Sequence, residues 1–253
     1  MKNLVLGVFA CLFLNACENS VKPHYILTDS QLHQYKDGDA LTYGVINLNS
    51  DATGTLTHTF NAVDLATPVD DNETLRVISR NTRIEGDMRF TFPIPYFTPA
   101  NDGSLALDAY SESGTTFWLS INGTATANAE FYPSPLSELI EQTSVNRQLF
   151  TYIDFQRRVG GSTSIRISPL GTETVETNYA RFETYKINID WSVTTNNDVE
   201  QKMYRLSGYQ WVYPPLGVVM FEYNIESPQN NNAIFASLSS TNIKIANENK
   251  MAN

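Results

Sequence analysis

The sequence is poor in cysteine, and the two that it has, Cys11 and Cys17, both fall near the N-terminus. A body that begins after Cys17 therefore offers no thiol for a disulfide, for a thiolate metal site or for a cysteine nucleophile. Cations are also scarce, with 17 Lys and Arg against 27 Asp and Glu. Phosphate binding needs a basic face, so this balance excludes nucleic acid as a partner. Only three histidines occur, His24, His33 and His58, and none stands in a His-x-x-x-His or His-Glu-x-x-His spacing. That leaves no zinc motif, and the spacing assigns the histidines structural or solvated roles. A Gly-x-Ser-x-Gly elbow and a glycine-rich phosphate loop are missing as well. No catalytic residue, metal ligand or cofactor is assigned.

Long hydrophobic runs are missing outside the first seventeen residues. The exception is Leu4 to Leu14, broken only by Gly7 and Cys11, preceded by Lys2 and followed by Ala16. This is the layout of a secretory signal peptide, and the run is shorter than the ~20 residues a bilayer-spanning helix needs. Removal of residues 1–16 takes Lys2 with it and leaves 16 basic against 27 acidic residues, a net −11.

The ending Leu14-Asn15-Ala16-Cys17 resembles the lipobox of bacterial lipoproteins. The resemblance implies cleavage before Cys17 and lipidation of that cysteine, on sulfur (the palmitate class of modification) and on its new amino group. Burial of acyl chains contributes ~0.8 kcal/mol per CH₂, so several chains on one residue hold a protein on a membrane almost permanently. Glu18 stands where that family places an inner-membrane retention Asp, which implies outer-membrane anchoring, facing the periplasm or the surface. The membrane is thus the one partner implied, with a lipid or another envelope protein as a second.

The rest of the chain reads as strand. Leu41, Tyr43 and Val45 alternate with Thr42, Gly44 and Ile46, and Leu56, His58 and Phe60 alternate with threonines. Tyr185, Ile187, Ile189, Trp191 and Val193 alternate strictly with polar residues, and Val219, Phe221, Tyr223 and Ile225 again fall on one face. A period of two puts one face in a core and the other in water. Asn196-Asn197-Asp198 and Pro214-Pro215 with Gly217 mark turns, and Asn122-Gly123 is a type I′ hairpin signal between 115–121 and 124–131. Asn47, Asn49 and Asp51 have calcium-loop spacing, but His58 stands where the bidentate Glu belongs, so the stretch is expected to be a polar turn. One helix is expected from Ser134-Pro135, with Leu136, Leu139 and Ile140 on one stripe, ending before Leu149.

Phe182 to Ile187 and the stretch Tyr209-Gln210-Trp211-Val212-Tyr213-Pro214-Pro215-Leu216-Gly217-Val218-Val219 are similar to the closing strands of some bacterial envelope proteins. Those proteins look like relatives of the half-barrel lipoprotein-localisation chaperones. The resemblance implies a curved antiparallel sheet around a helical plug, with a concave apolar face able to hold acyl chains and no catalytic residues.

The expectation is therefore a mainly β protein, a single large antiparallel sheet curved as a half-barrel with one notable helix, the alternative being a β-sandwich. Residues 1–16 are the signal peptide, 17–35 a lipidated tether, 36–246 one β-rich domain and 247–253 a frayed tail. The expected function is non-catalytic: binding of a lipid or acyl chain, or envelope assembly or transport. A surface sandwich that binds glycan or protein is the alternative, and an envelope hydrolase the least favoured reading. Candidate ligand contacts are Tyr209, Trp211, Tyr213 and Met220, joined by Tyr96 and Phe97 in a proline-flanked stretch expected to form an exposed lip.

Overall fold

The computed structural model describes residues 22–27, 32–66, 74–87, 94–99, 105–112, 115–120, 129–132, 145–153, 160–196, 201–228, 231–245 and 250–251. These residues are built from strands and turns. The first strands are β1 His24–Tyr25, β2 Ala40–Asn47, β3 Thr53–Ala66, β4 Thr74–Gly86 and β5 Ile94–Pro99. Then come β6 Leu105–Glu112, β7 Thr115–Ser120, β8 Ala129–Tyr132, β9 Val145–Ile153 and β10 Gly160–Glu176. The C-terminal strands are β11 Arg181–Asn196, β12 Gln201–Tyr213, β13 Gly217–Glu226, β14 Asn231–Thr241 and β15 Lys250–Met251.

All belong to one sheet, ordered β10-β9-β7-β6-β5-β4-β3-β2-β14-β13-β12-β11-β1-β15, with β8 on β6. Strand β10 also pairs with β11, so the path of pairings curls back on itself. The result is a curled, half-barrel sheet, and a sandwich of two stacked sheets is excluded. The contacts are antiparallel except for β1 on β11. The lipobox and residues 134–144 of the expected helix fall outside those described, and the remaining stretch before Leu149 lies in β9.

Alternation makes the sheet. In β11, Tyr185, Ile187, Ile189 and Trp191 are buried, while Lys186, Asn188 and Asp190 between them are partly open. Strand β13 buries Val219, Phe221, Tyr223 and Ile225, and β2 buries Leu41, Tyr43 and Val45. Cross-strand register lines these up: Ile187 pairs with Gln210, Gln210 with Phe221, Phe221 with Ala236, and Ala236 with Val45. One continuous apolar face results, and each large side chain fully buried there contributes about 1.5–3 kcal/mol.

Register, unlike alternation, departs from expectation in three places. The segment expected as a spacer over 17–35 is docked wherever it is described. Tyr25 stacks on Phe182 at 5.2 Å, Leu32 is buried, and the His33 amide donates to the Pro214 carbonyl at 2.8 Å. Tyr35 stacks on Phe60 at 3.6 Å and donates to the Leu216 carbonyl at 3.0 Å. Three large apolar groups outweigh the polarity and Pro23 that suggested a tether. In the expected frayed tail, Lys250 and Met251 pair with β1. The Asn122-Gly123 turn lies outside the described residues, and of its two expected strands β7 pairs with β6 and β9 while β8 pairs with β6.

Candidate functional site

Polar groups set into the apolar face mark the candidate site. In β3, alternation carries His58 onto the face that holds Leu56 and Phe60, and His58 is 7% exposed. Its Nδ1 lies 2.9 Å from the Thr82 hydroxyl, and its ring meets Tyr43 edge-on at 5.5 Å. Burial first, and the positive charge of Arg80 second, hold the imidazole well below its ordinary pKa of 6.5. It is therefore neutral at physiological pH.

Arg80 is placed by pairing opposite Phe60 in the β3–β4 ladder. Its charge also reaches Tyr35 and Tyr223. The Tyr223 hydroxyl accepts a hydrogen bond from the Gln210 amide, and its pKa is pushed up to about 12 by burial, against the pull of Arg80 and Gln210. Phe221 stacks on Tyr223 at 4.5 Å and meets Tyr43 edge-on at 5.3 Å. The Tyr43 hydroxyl donates to the Val218 carbonyl at 2.7 Å, which ties β2 to the start of β13. This set can orient a ligand by hydrogen bonds and one cationic group, and it can stack rings. Among the described residues no group of His, Cys, Asp or Glu is arranged to hold a metal.

The aromatics singled out from sequence lie elsewhere. Tyr209, Trp211 and Tyr213 share the face of β12 opposite Gln210 and Val212, across from Lys186 of β11. Of these three only Tyr209 reaches solvent, at 39% exposed. Trp211 donates its indole N–H to Glu173 Oε2 at 3.0 Å and is roofed by Lys186, whose Nζ lies 4.8 Å from the ring centroid. Lys186 Nζ sits 2.9 Å from the same Glu173 oxygen. The Trp211 bond first, then that of Lys186, hold the Glu173 carboxyl below its usual range. Such an arrangement satisfies the indole internally and leaves no open ring for stacking.

Tyr213 is fully buried against Phe182 at 5.2 Å and Tyr25 at 5.9 Å, so it is core. Met220 is half-buried and pairs with Trp211 on the same face. Tyr96 and Phe97 belong to β5, which pairs with β4 at Ser79 and Ile78 and with β6 along its length. A lip kept unpaired by prolines is thus not what the backbone forms. Among the described residues β4 pairs with β5 at residues 96 and 97, beyond Pro95, so the missing N–H of that proline removes no ladder bond on that edge. Cys17 lies outside the described residues. In Asn47 to Asp51, the Asn47 side chain accepts from the Asn49 amide at 2.9 Å and Asp51 adopts φ 56°, a polar turn as expected.

Sequence reading missed Arg80, Gln210 and Tyr223. The available signal was parity: Arg80 falls between Ile78 and Thr82 on the side of β4 that continues to Ile84, and Gln210 shares the parity of Leu206 and Val212. A polar residue on a strand's apolar side is informative because burial without a partner costs about 1–3 kcal/mol.

The class so defined is a single-sheet, curled β protein. No protein-family model matches the chain, and no curated protein does. Among solved structures it is similar to a provisionally described lipoprotein of Parabacteroides distasonis at 14% identity, over 85% of this chain and 100% of that one, with TM-score 0.40. An exported protein of Bacteroides fragilis, also provisional and described as having a YmcC-like fold, matches at 15% identity over 84% and 99%, with TM-score 0.31. The hypothetical lipoprotein YmcC of Escherichia coli matches at 11% identity over 82% and 85%, with TM-score 0.27. The half-barrel assignment rests on the strand pairings themselves.

Proposed function

We propose that the protein is a lipid-anchored component of the bacterial outer membrane that holds a hydrophobic ligand, a lipid or acyl chain, on the apolar face of its curled sheet, without catalysis. The observation that carries this reading is the composition of that face. Aromatic and aliphatic side chains run continuously from β11 to β3, interrupted by a few grouped polar residues, His58, Arg80, Gln210 and Tyr223. Ligand sites are built this way, apolar area providing affinity and sparse polar groups fixing orientation. The lipobox at Leu14 to Cys17, with Glu18 after it, supports anchoring.

The test is native mass spectrometry with lipid extraction on a form that starts at Glu18. An amphiphile should co-purify, and Ala236→Phe, which fills the centre of the apolar face, should expel it. Tyr209→Ala on the opposite face should retain it, and a melting curve on each variant reports folding. A ligand-free wild-type mass would sink the proposal.

A second reading has its own observation. Tyr209 at 39% and Ile46 at 40% exposed end one cross-strand row on the opposite face, with exposed Glu222 and half-buried Phe235 between them. Exposed apolar groups in one patch fit recognition of an envelope protein or glycan. Pull-down from envelope extracts that Tyr209→Ala abolishes would favour it.

A further inference from the structure

The membrane anchor and the folded body are separated by very little chain. Lys22 comes five residues after Cys17 and is already fastened: its Nζ donates to the Thr177 carbonyl at 2.9 Å and to Glu176 Oε1 at 3.1 Å. The Arg181 amide donates to the Pro23 carbonyl at 2.9 Å, and the Leu27 amide to Glu183 Oε2 at 3.1 Å. Between them His24 and Tyr25 pair with Arg181 and Phe182. Every one of these partners belongs to one feature, the tip of the β10–β11 hairpin from Glu176 to Glu183.

Length then decides the geometry. Five extended residues reach at most about 17–18 Å. The hairpin pairs from Glu176↔Arg181 at its tip to Gly160↔Asn196 at its far end. At the rise of a strand, the fifteen steps from Arg181 to Asn196 amount to about 50 Å along the chain. We infer that the tip, Glu176 to Glu183, is the membrane-facing surface of the anchored protein, and that its partner is the headgroup layer of the bilayer holding Cys17. The inference rests on the lipid anchor proposed above. The tip cannot leave the surface by more than the leash, whereas the far end of the hairpin is free to project. A net charge of −11 on the mature chain opposes lying flat on anionic lipid. One consequence is functional: ligand exchange would take place beside the membrane, because the leash is too short to carry the body away from it.

The mature chain has no cysteine besides Cys17, so an introduced cysteine is a unique labelling site. The experiment uses full-length, acylated protein in vesicles that contain headgroup-nitroxide lipid. One fluorophore is placed at the exposed tip, Asn178→Cys, and another at the exposed Met203→Cys, which pairs with Thr194 near the far end. Thr174→Cys is a second proximal site, should the turn label perturb packing. Quenching is expected to be several-fold stronger at 178 and 174 than at 203. Twenty Gly/Ser residues inserted after Glu18 should collapse the difference, since such a linker has an r.m.s. reach of about 25 Å. Equal or reversed quenching in acylated protein overturns the inference and leaves the anchor standing. A mature N-terminus without the acyl mass overturns the anchor reading, and this inference with it.

Discussion

Protonation of one buried imidazole should dominate how this fold responds to mild acid. His58 is 7% exposed, bonded to Thr82, edge-on to Tyr43 and within the field of Arg80. Its folded pKa lies well below 6.5, while in the unfolded chain it titrates at that ordinary value. The folded-state pKa is depressed on a basic group, so between the two values only the unfolded state takes up the proton. The stability present above pH 6.5 is therefore lost as pH falls below it, at about 1.4 kcal/mol per pH unit. Between pH 7 and pH 5 this amounts to at most about 2 kcal/mol from His58 alone. Other groups titrate too, so the assay is a difference. Urea unfolding is followed by tryptophan fluorescence at pH 7 and pH 5 for the wild type and for His58→Phe, which keeps a ring against Tyr43 without a titrating nitrogen. The variant should lose about 1 kcal/mol at pH 7 with the Thr82 hydrogen bond. Its further loss on acidification should be smaller than the wild type's, by up to about 2 kcal/mol. Parallel pH dependences would refute the claim that His58 is held neutral by burial and by Arg80.

Two further outcomes follow from local geometry. Gly217 has φ 89°, and a Cβ there would clash with the Tyr35 hydroxyl, so Gly217→Ala should cost at least the ~1–2 kcal/mol of a left-handed residue. Pairing it with Tyr35→Phe removes the clashing oxygen, and the double-mutant cycle should show a favourable coupling; strict additivity of melting free energies would contradict the contact. Arg205 holds Asp190 with two bonds, 2.9 and 2.7 Å, and its hydrogen bond first, then its charge, hold that carboxyl below the usual range. Both side chains are substantially exposed, at 43% and 35%, so Arg205→Met should cost under ~1 kcal/mol in denaturant titration, and less in high salt.

Much was legible in the sequence because it is local. Strict alternation in 185–193 and 221–225 specifies a half-buried strand wherever it lies, since the pleat itself sends successive side chains to opposite faces. Turn chemistry at 47–51 and 214–217 likewise depends on a few neighbouring residues. Absences are local facts as well: no body cysteine, no metal spacing and few cations.

What the tertiary structure decided is what depends on register between distant strands. Parity placed Tyr209, Trp211 and Tyr213 together, but only the pairings with β11 and the docking of Tyr25 make one exposed, one roofed by Lys186 and one core. Pairing with β3, not anything in β4 alone, brings Arg80 opposite Phe60 and near His58 and Tyr223. The polar N-terminal segment reads as a spacer until its partners, Phe182, Pro214 and Phe60, are known. Alternation says that a strand has two faces. Which of them meets the core, and what else meets it there, is settled by contacts between residues far apart in the chain, and these carry no local signature.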